Sequence, residues 1–103
     1  MRTYETIFIL DPSLSDDRFE EEIKGVEDFI KSKNGNILRI DRWGKRKFSY
    51  PIAKKSEGYY VFMLYESNPD LPKELESHLR LNESCFRFLT VVSEEEVEQK
   101  EKA

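Results

Sequence analysis

The sequence predicts an α+β domain, with two helices packed on one face of a four-stranded antiparallel sheet. Two observations carry this. Residues 2–10, 37–52, 58–66 and 85–92 are rich in β-branched and aromatic side chains and read as strands. The two long segments between them, one after residue 12 and one after residue 68, repeat apolar residues at helical spacing. The resulting order is β-α-β-β-α-β, the split βαβ arrangement that leaves one sheet face without helices.

The first strand, RTYETIFIL, alternates Tyr4, Thr6, Phe8 and Leu10 with Glu5, Ile7 and Ile9. Both sets turn apolar toward Leu10, as expected of a central strand. Asp11-Pro12-Ser13 is a turn, and Ser13 or Ser15 can cap a helix that Asp16 and Asp17 favour at its positive end. Phe19, Ile23, Val26 and Ile30 form that helix's apolar stripe, and Asn34-Gly35 stops it. In the second strand Gly44 predicts a bulge or a close backbone approach, and Pro51 belongs on an edge strand or at a bulge because it offers no ladder donor. Lys54 to Gly58 reads as the hairpin loop before GYYVFMLYE. Asp70 is the expected cap of the second helix, Pro72 fits its first turn, and Leu71, Leu75 and Leu79 line it. CFRFLTVV closes the sheet. Together these elements make a ferredoxin-like sandwich over 1–93. The tail 94–103, with five Glu and two Lys, reads as an acidic, disordered or frayed appendix.

The chain has 103 residues, 38% hydrophobic and 37% charged, with a net charge of −4, which fits one soluble domain. No apolar run reaches the roughly 20 residues that span a bilayer. The opening MRTYETIFILDP lacks the marks of a secretory signal and is read as a cytosolic start. One Cys and one His exclude an internal disulfide and a structural zinc site, and no cofactor is expected.

Positive charge is concentrated in one place. From Arg39 to Lys55 there are seven cations (Arg39, Arg42, Lys45, Arg46, Lys47, Lys54, Lys55) against Asp41, a net +6 in an acidic protein. Such a ribbon can neutralise phosphates, and Trp43, Phe48 and Tyr50 within it can stack on bases or on a partner. Edge protection explains the same cations, since lysines on an edge strand discourage pairing with other chains. The first helix, with seven acids and four cations over 16–33, should point away from any phosphate backbone.

The last two strands are apolar in both parities. Tyr60, Phe62 and Leu64 alternate with Tyr59, Val61, Met63 and Tyr65, while Phe86 and Phe88 alternate with Arg87, Leu89 and Val91. One set must face away from the helices, as an interaction surface or under a cover of loops and long side chains. The alternation does not say which set.

Catalytic patterns are missing. Gly44-Lys45 lacks P-loop spacing, there is no G-x-S-x-G elbow, and His78 has no evident nucleophile. Cys85 opens an apolar strand and reads as a small core residue. Catalysis is not expected.

Three blocks resemble the bacterial small-subunit ribosomal protein S-six family: MRTYETIFILDP, RWGKRKFSYPIAK followed by GYYVFM, and LRLNESCFRFLTVV. The resemblance spans about residues 1–93. It implies a structural constituent of the 30S subunit, cytoplasmic, which binds the central domain of 16S rRNA together with the small basic ribosomal protein S-eighteen. Under it, Arg2, Arg42, Lys45, Arg46, Lys47 and Arg87 are the RNA candidates, with Arg2 and Arg87 expected side by side. Arg80 is a further candidate, or a partner for Glu76. Trp43, Tyr50 and Tyr60 are assigned to partner or base contact, or to sheet packing. Two alternatives remain. One is a free-standing single-stranded-RNA-binding module of RNA-recognition-motif type, although CFRFLTVV lacks that motif's glycines. The other is a metabolite-binding homodimer.

Overall fold

The computed structural model describes residues 1–52 and 55–93, apart from the side chains at 48–55. Its elements are β1 (Arg2–Leu10), α1 (Asp16–Ser32), β2 (Asn36–Ile52), β3 (Lys55–Ser67), α2 (Leu71–Arg80) and β4 (Cys85–Val92). They form one antiparallel sheet in the order β2-β3-β1-β4. The fold is the ferredoxin-like sandwich that the alternation predicts. β1 is central and β2, which carries Pro51, is an edge.

Local chemistry sets the ends of α1. Ser15 is extended (ψ 163°) and its Oγ accepts the Arg18 N–H at 3.3 Å. At the other end Asn34 takes φ 66°, and the Gly35 N–H donates to the Ile30 carbonyl at 2.9 Å. A Cβ on Gly35 would lie 2.5 Å from Ile30 Cγ2, so only glycine lets the chain pass this close to the helix.

Two expectations fail. Asp70 precedes α2 in helical geometry (φ −77°, ψ −26°), and its side chain makes no capping bond. Capping needs an extended backbone at that position; here Pro72 presets the first turn instead. The hairpin loop is also shorter than Lys54 to Gly58. β3 already begins at Lys55, which pairs with Ile52, because the two strands run on as a ribbon beyond Gly58. Lys54 and the tail 94–103 lie outside the described residues.

The core fills the space between sheet and helices. Tyr4, Phe8 and Leu10 of β1 and Val61, Met63 and Tyr65 of β3 meet Phe19, Ile23, Val26 and Ile30 of α1 and Leu71, Leu75 and Leu79 of α2. Phe19 stacks on Tyr59 with ring centroids 4.0 Å apart, and Phe29 stacks on His78 at 4.5 Å, tying α1 to α2. The parity is thereby settled: odd-numbered residues of β3 face the helices, and Tyr60, Phe62 and Leu64 face outward.

One polar chain crosses this core. Thr6 Oγ1 lies 2.8 Å from Thr90 Oγ1 and 2.9 Å from the Tyr65 hydroxyl, linking β4, β1 and β3. Thr6 and Tyr65 are fully buried, and burial pushes the Tyr65 phenol above its ordinary pKa. Removing Thr6 Oγ1 takes one hydrogen bond from the buried Tyr65 hydroxyl, which also interacts with Thr90, and one from the half-buried Thr90. Thr6→Val should therefore lower stability by about 1–3 kcal/mol in urea unfolding; an unchanged midpoint would mean that neither hydroxyl depends on Thr6.

Candidate nucleic-acid interface

The site begins with a defect in β2. Arg42 pairs with Val61 and Gly44 with Tyr60, so Trp43 is an extra residue opposite one partner. Gly44 takes φ 82°, a conformation that glycine adopts without a Cβ penalty. The bulge divides the cations between the two faces. Before it, Arg42 points to the helix side and forks onto Glu20 of α1, with Nε and Nη2 each 2.8 Å from a carboxylate oxygen. These bonds hold the Glu20 carboxyl below its ordinary pKa. After it, Trp43 lies on the outer face.

Trp43 stacks there on Phe62 (centroids 5.7 Å apart, planes at 11°) and on Tyr60 (6.5 Å, 20°). The Arg46 guanidinium lies over the Trp43 ring at 5.6 Å, and that of Arg39 lies over Phe62 at 5.2 Å. Arg39 is also paired to Asp41 at 3.0 Å. Phe62 and Leu64 are consequently only 5% and 3% exposed, although no helix covers them. Long side chains of β2 roof the β3 half of the open face, and Trp43 itself remains 41% exposed.

The β1 pairing ends at Leu10–Tyr59, so β2 and β3 continue past the sheet as a two-stranded arm. Arg46 opposite Gly58 and Lys47 opposite Glu57 begin this arm, one step beyond Lys45 opposite Tyr59. All three cations are exposed and, among the described residues, none makes an ion pair. Arg87 joins them from the far edge. A single row of pairs runs Gly44–Tyr60–Ile9–Arg87 across all four strands, about 14 Å in three steps. Arg2 does not join them. It lies seven residues from Ile9 along β1, roughly 23 Å from the Arg87 row. The expected Arg2–Arg87 pair fails because β1 and β4, although neighbours, run antiparallel: the start of β1 lies by the end of β4, with Tyr4 opposite Val92, and Arg87 lies opposite Ile9. Arg80 closes α2 and lies over the Phe88 ring at 5.6 Å, on the helix side of β4. The Tyr50 side chain lies outside the described residues.

The β1–β4 half of the open face is different. Leu89 and Val91 are exposed beside Ile7 and Ile9, and a shallow groove of about 490 Å³ lies among Ile7, Ile9, Phe86, Arg87 and Leu89. Cys85 is half-buried at the start of β4, with its thiol directed to the Arg87 carbonyl at 3.4 Å. Burial pushes that thiol up to about 11, which keeps it protonated and unreactive at neutral pH. The sequence missed Arg39 and Phe62 as members of the aromatic stack. The bulge at Gly44 is the signal that places Trp43 over both β3 rings, and it becomes usable only once the strand register is known.

These features define a ferredoxin-like domain whose sheet, free of helices on one side, presents a cation-flanked aromatic stack next to an apolar groove. Comparison with known proteins gives the family. The family model described as "Ribosomal protein S6" matches residues 3–92, and the chain belongs to that family. It is 43% identical over 91 residues to the small ribosomal subunit protein bS6 of Caldanaerobacter subterraneus, covering 88% of this chain and 96% of that protein. It is 42% identical, with the same coverage, to the bS6 of Clostridium novyi. The crystal structure of 30S ribosomal protein S6 from Thermotoga maritima superposes with a TM-score of 0.88 at 30% identity, covering 98% of this chain and 94% of that one. The chain is thus a structural protein of the small ribosomal subunit and not an enzyme.

The Glu20–Arg42 fork gives a pH dependence. A carboxyl whose pKa is lowered in the folded state stabilises the fold above its unfolded pKa. That contribution is lost as pH falls through the folded value. The pair is solvent-exposed, so the effect should stay under about 1 kcal/mol. Glu20→Gln should lower the urea midpoint slightly at pH 7 and converge with the parent protein near pH 3; an equal difference at both pH values would rule out the ion pair as the cause.

Proposed function

We propose that this protein binds the central domain of 16S rRNA jointly with the small basic ribosomal protein S-eighteen as the 30S particle assembles in the bacterial cytoplasm. The observation that carries the reading is the grouping of Lys45, Arg46 and Lys47 where the two-stranded arm leaves the sheet, with Arg87 on the row beside it. Exposed cations without acidic partners among the described residues are available to phosphates, and each contact releases counterions. Arg2 and Arg80 are separate contacts at other points of the surface. Arg42 can contribute only by exchanging Glu20 for a phosphate. Tyr50, Trp43 and Tyr60 belong to the partner-facing or RNA-facing surface of the same ribbon. Residues 1–93 form the binding domain, and 94–103 is an acidic appendix that a phosphate backbone repels.

The acidic remainder supports a shared site over an independent one. A protein of net −4 repels RNA over much of its surface, and a basic partner would supply the charge it lacks. The test is binding to a 16S central-domain fragment at two salt concentrations, with and without S-eighteen. Tight, salt-sensitive binding is expected only with the partner; equal affinity without it would favour a free-standing RNA binder. In the joint complex Arg46→Ala should weaken binding and reduce the slope of log K against log salt by about one. An unchanged slope would remove Arg46 from the phosphate contacts.

A further inference from the structure

We infer that Trp43 is a positioning residue that acts through Arg46: it holds the guanidinium in place for a phosphate and does not stack on a base itself. This rests on the RNA-binding reading above and specifies how its central contact is built. An aromatic side chain that stacks on a nucleobase needs a free face, and the Trp43 ring already has three neighbours. It stacks on Phe62 and Tyr60, with planes at 11° and 20°, and the Arg46 guanidinium lies over it at 5.6 Å, while 41% of the residue stays exposed.

The pile is built from the backbone outward. Phe62 is nearly buried and fixed in β3, and the extra residue at the Gly44 bulge brings Trp43 over it. Arg46 follows where the ribbon leaves the sheet and is exposed, without an acidic partner among the described residues. An unsupported arginine there would sample many rotamers and lose that freedom on binding. Lying on the indole, its planar fork is partly ordered before RNA arrives, while its N–H edge stays open to donate to two phosphate oxygens. Arg39 shows the contrast: it lies over Phe62 in the same way, but Asp41 occupies its guanidinium at 3.0 Å. Arg46 is therefore the member of the pile available to an anion.

A double-mutant cycle tests this in the joint complex with S-eighteen and the 16S central-domain fragment. Arg46→Ala should weaken binding about tenfold. Trp43→Leu, which keeps every charge, should weaken it about 2- to 5-fold with the salt slope unchanged. The double variant should bind no worse than Arg46→Ala alone, because a support has no effect once the group it supports is gone. Additive losses would overturn the proposal and make Trp43 a contact in its own right. Arg46→Lys gives a second arm: it retains the charge and the slope but loses the planar fork, so Trp43→Leu should cost less on that background. If Trp43→Leu does not fold, Trp43→Phe replaces it in the cycle, with a smaller loss and the same non-additivity expected. Trp43 is the only tryptophan, so its emission also reports the contact directly in the free protein. Arg46→Ala should change that emission; an identical spectrum would mean that the guanidinium does not lie on the ring in solution. Failure of the parent protein to bind the fragment would instead reject the RNA-binding reading itself, while the fluorescence arm would still decide the contact.

Discussion

Strand β3 is buried on both faces, yet among the described residues helices pack on only one side of it. Val61, Met63 and Tyr65 are closed off by α1 and α2 in the ordinary way. Phe62 and Leu64 point the other way and must be shielded by something else. The shield is β2, whose Trp43 and Arg39 fold over the outer face, and this requirement shapes the rest of the candidate site. It explains why the bulge lies at Gly44, beside the Tyr60 row, and why a cation-bearing edge strand also carries the only tryptophan. On the proposed reading, the side chains that keep water off Phe62 are also the surface offered to a ligand, so packing and recognition are not separable: the roof over the outer core is the floor of the candidate site.

The bulge has a second effect, on charge. Without an extra residue the cations of β2 would alternate regularly between the faces. With it, Arg42 is committed to Glu20 on the helix side, while Arg46 emerges on the outer side past the end of β1. Arg42 ties the edge strand to α1 through Glu20 and Arg39 pairs with Asp41, while Lys45, Arg46 and Lys47 make no ion pair among the described residues. These three charges therefore persist in an acidic protein without being neutralised within the described fold.

Much of this was legible in the sequence. The stripe Phe19, Ile23, Val26, Ile30, the Ser15 cap and the Asn34-Gly35 stop depend on contacts within a few residues, and all appear as expected. The bulge at Gly44 and the edge placement of Pro51 follow from backbone restrictions of the residues themselves. The misses share another character. Which face of β3 meets the helices is undetermined by a pattern that is apolar in both parities. The separation of Arg2 from Arg87 depends on register, which is fixed by β1 pairing with β4 across more than eighty residues of chain. The missing bond from Asp70 depends on a backbone angle that Pro72 and the preceding turn set together. Short-range chemistry is written locally; face, register and the partners of long cations are decided by the assembled sheet.

The two edges of that sheet show why edge protection and anion binding need not compete as explanations. β2 is guarded by its bulge, Pro51 and a run of cations, each of which obstructs pairing with another strand. β4 has no proline and no run of cations, and its one register shift lies at its start, where Phe86 is an extra residue between Cys85 and Arg87. It carries one cation, Arg87, and exposes Leu89, Val91 and Val92. If the cations served edge protection alone, the more apolar edge would be expected to carry them, since an exposed apolar strand is the greater liability. They lie instead on the strand that already has a bulge and a proline, and they cluster where the ribbon leaves the acidic helix behind. That placement supports the proposed phosphate contacts. The unguarded β4 edge, in turn, is the kind of surface that stays soluble in company better than alone.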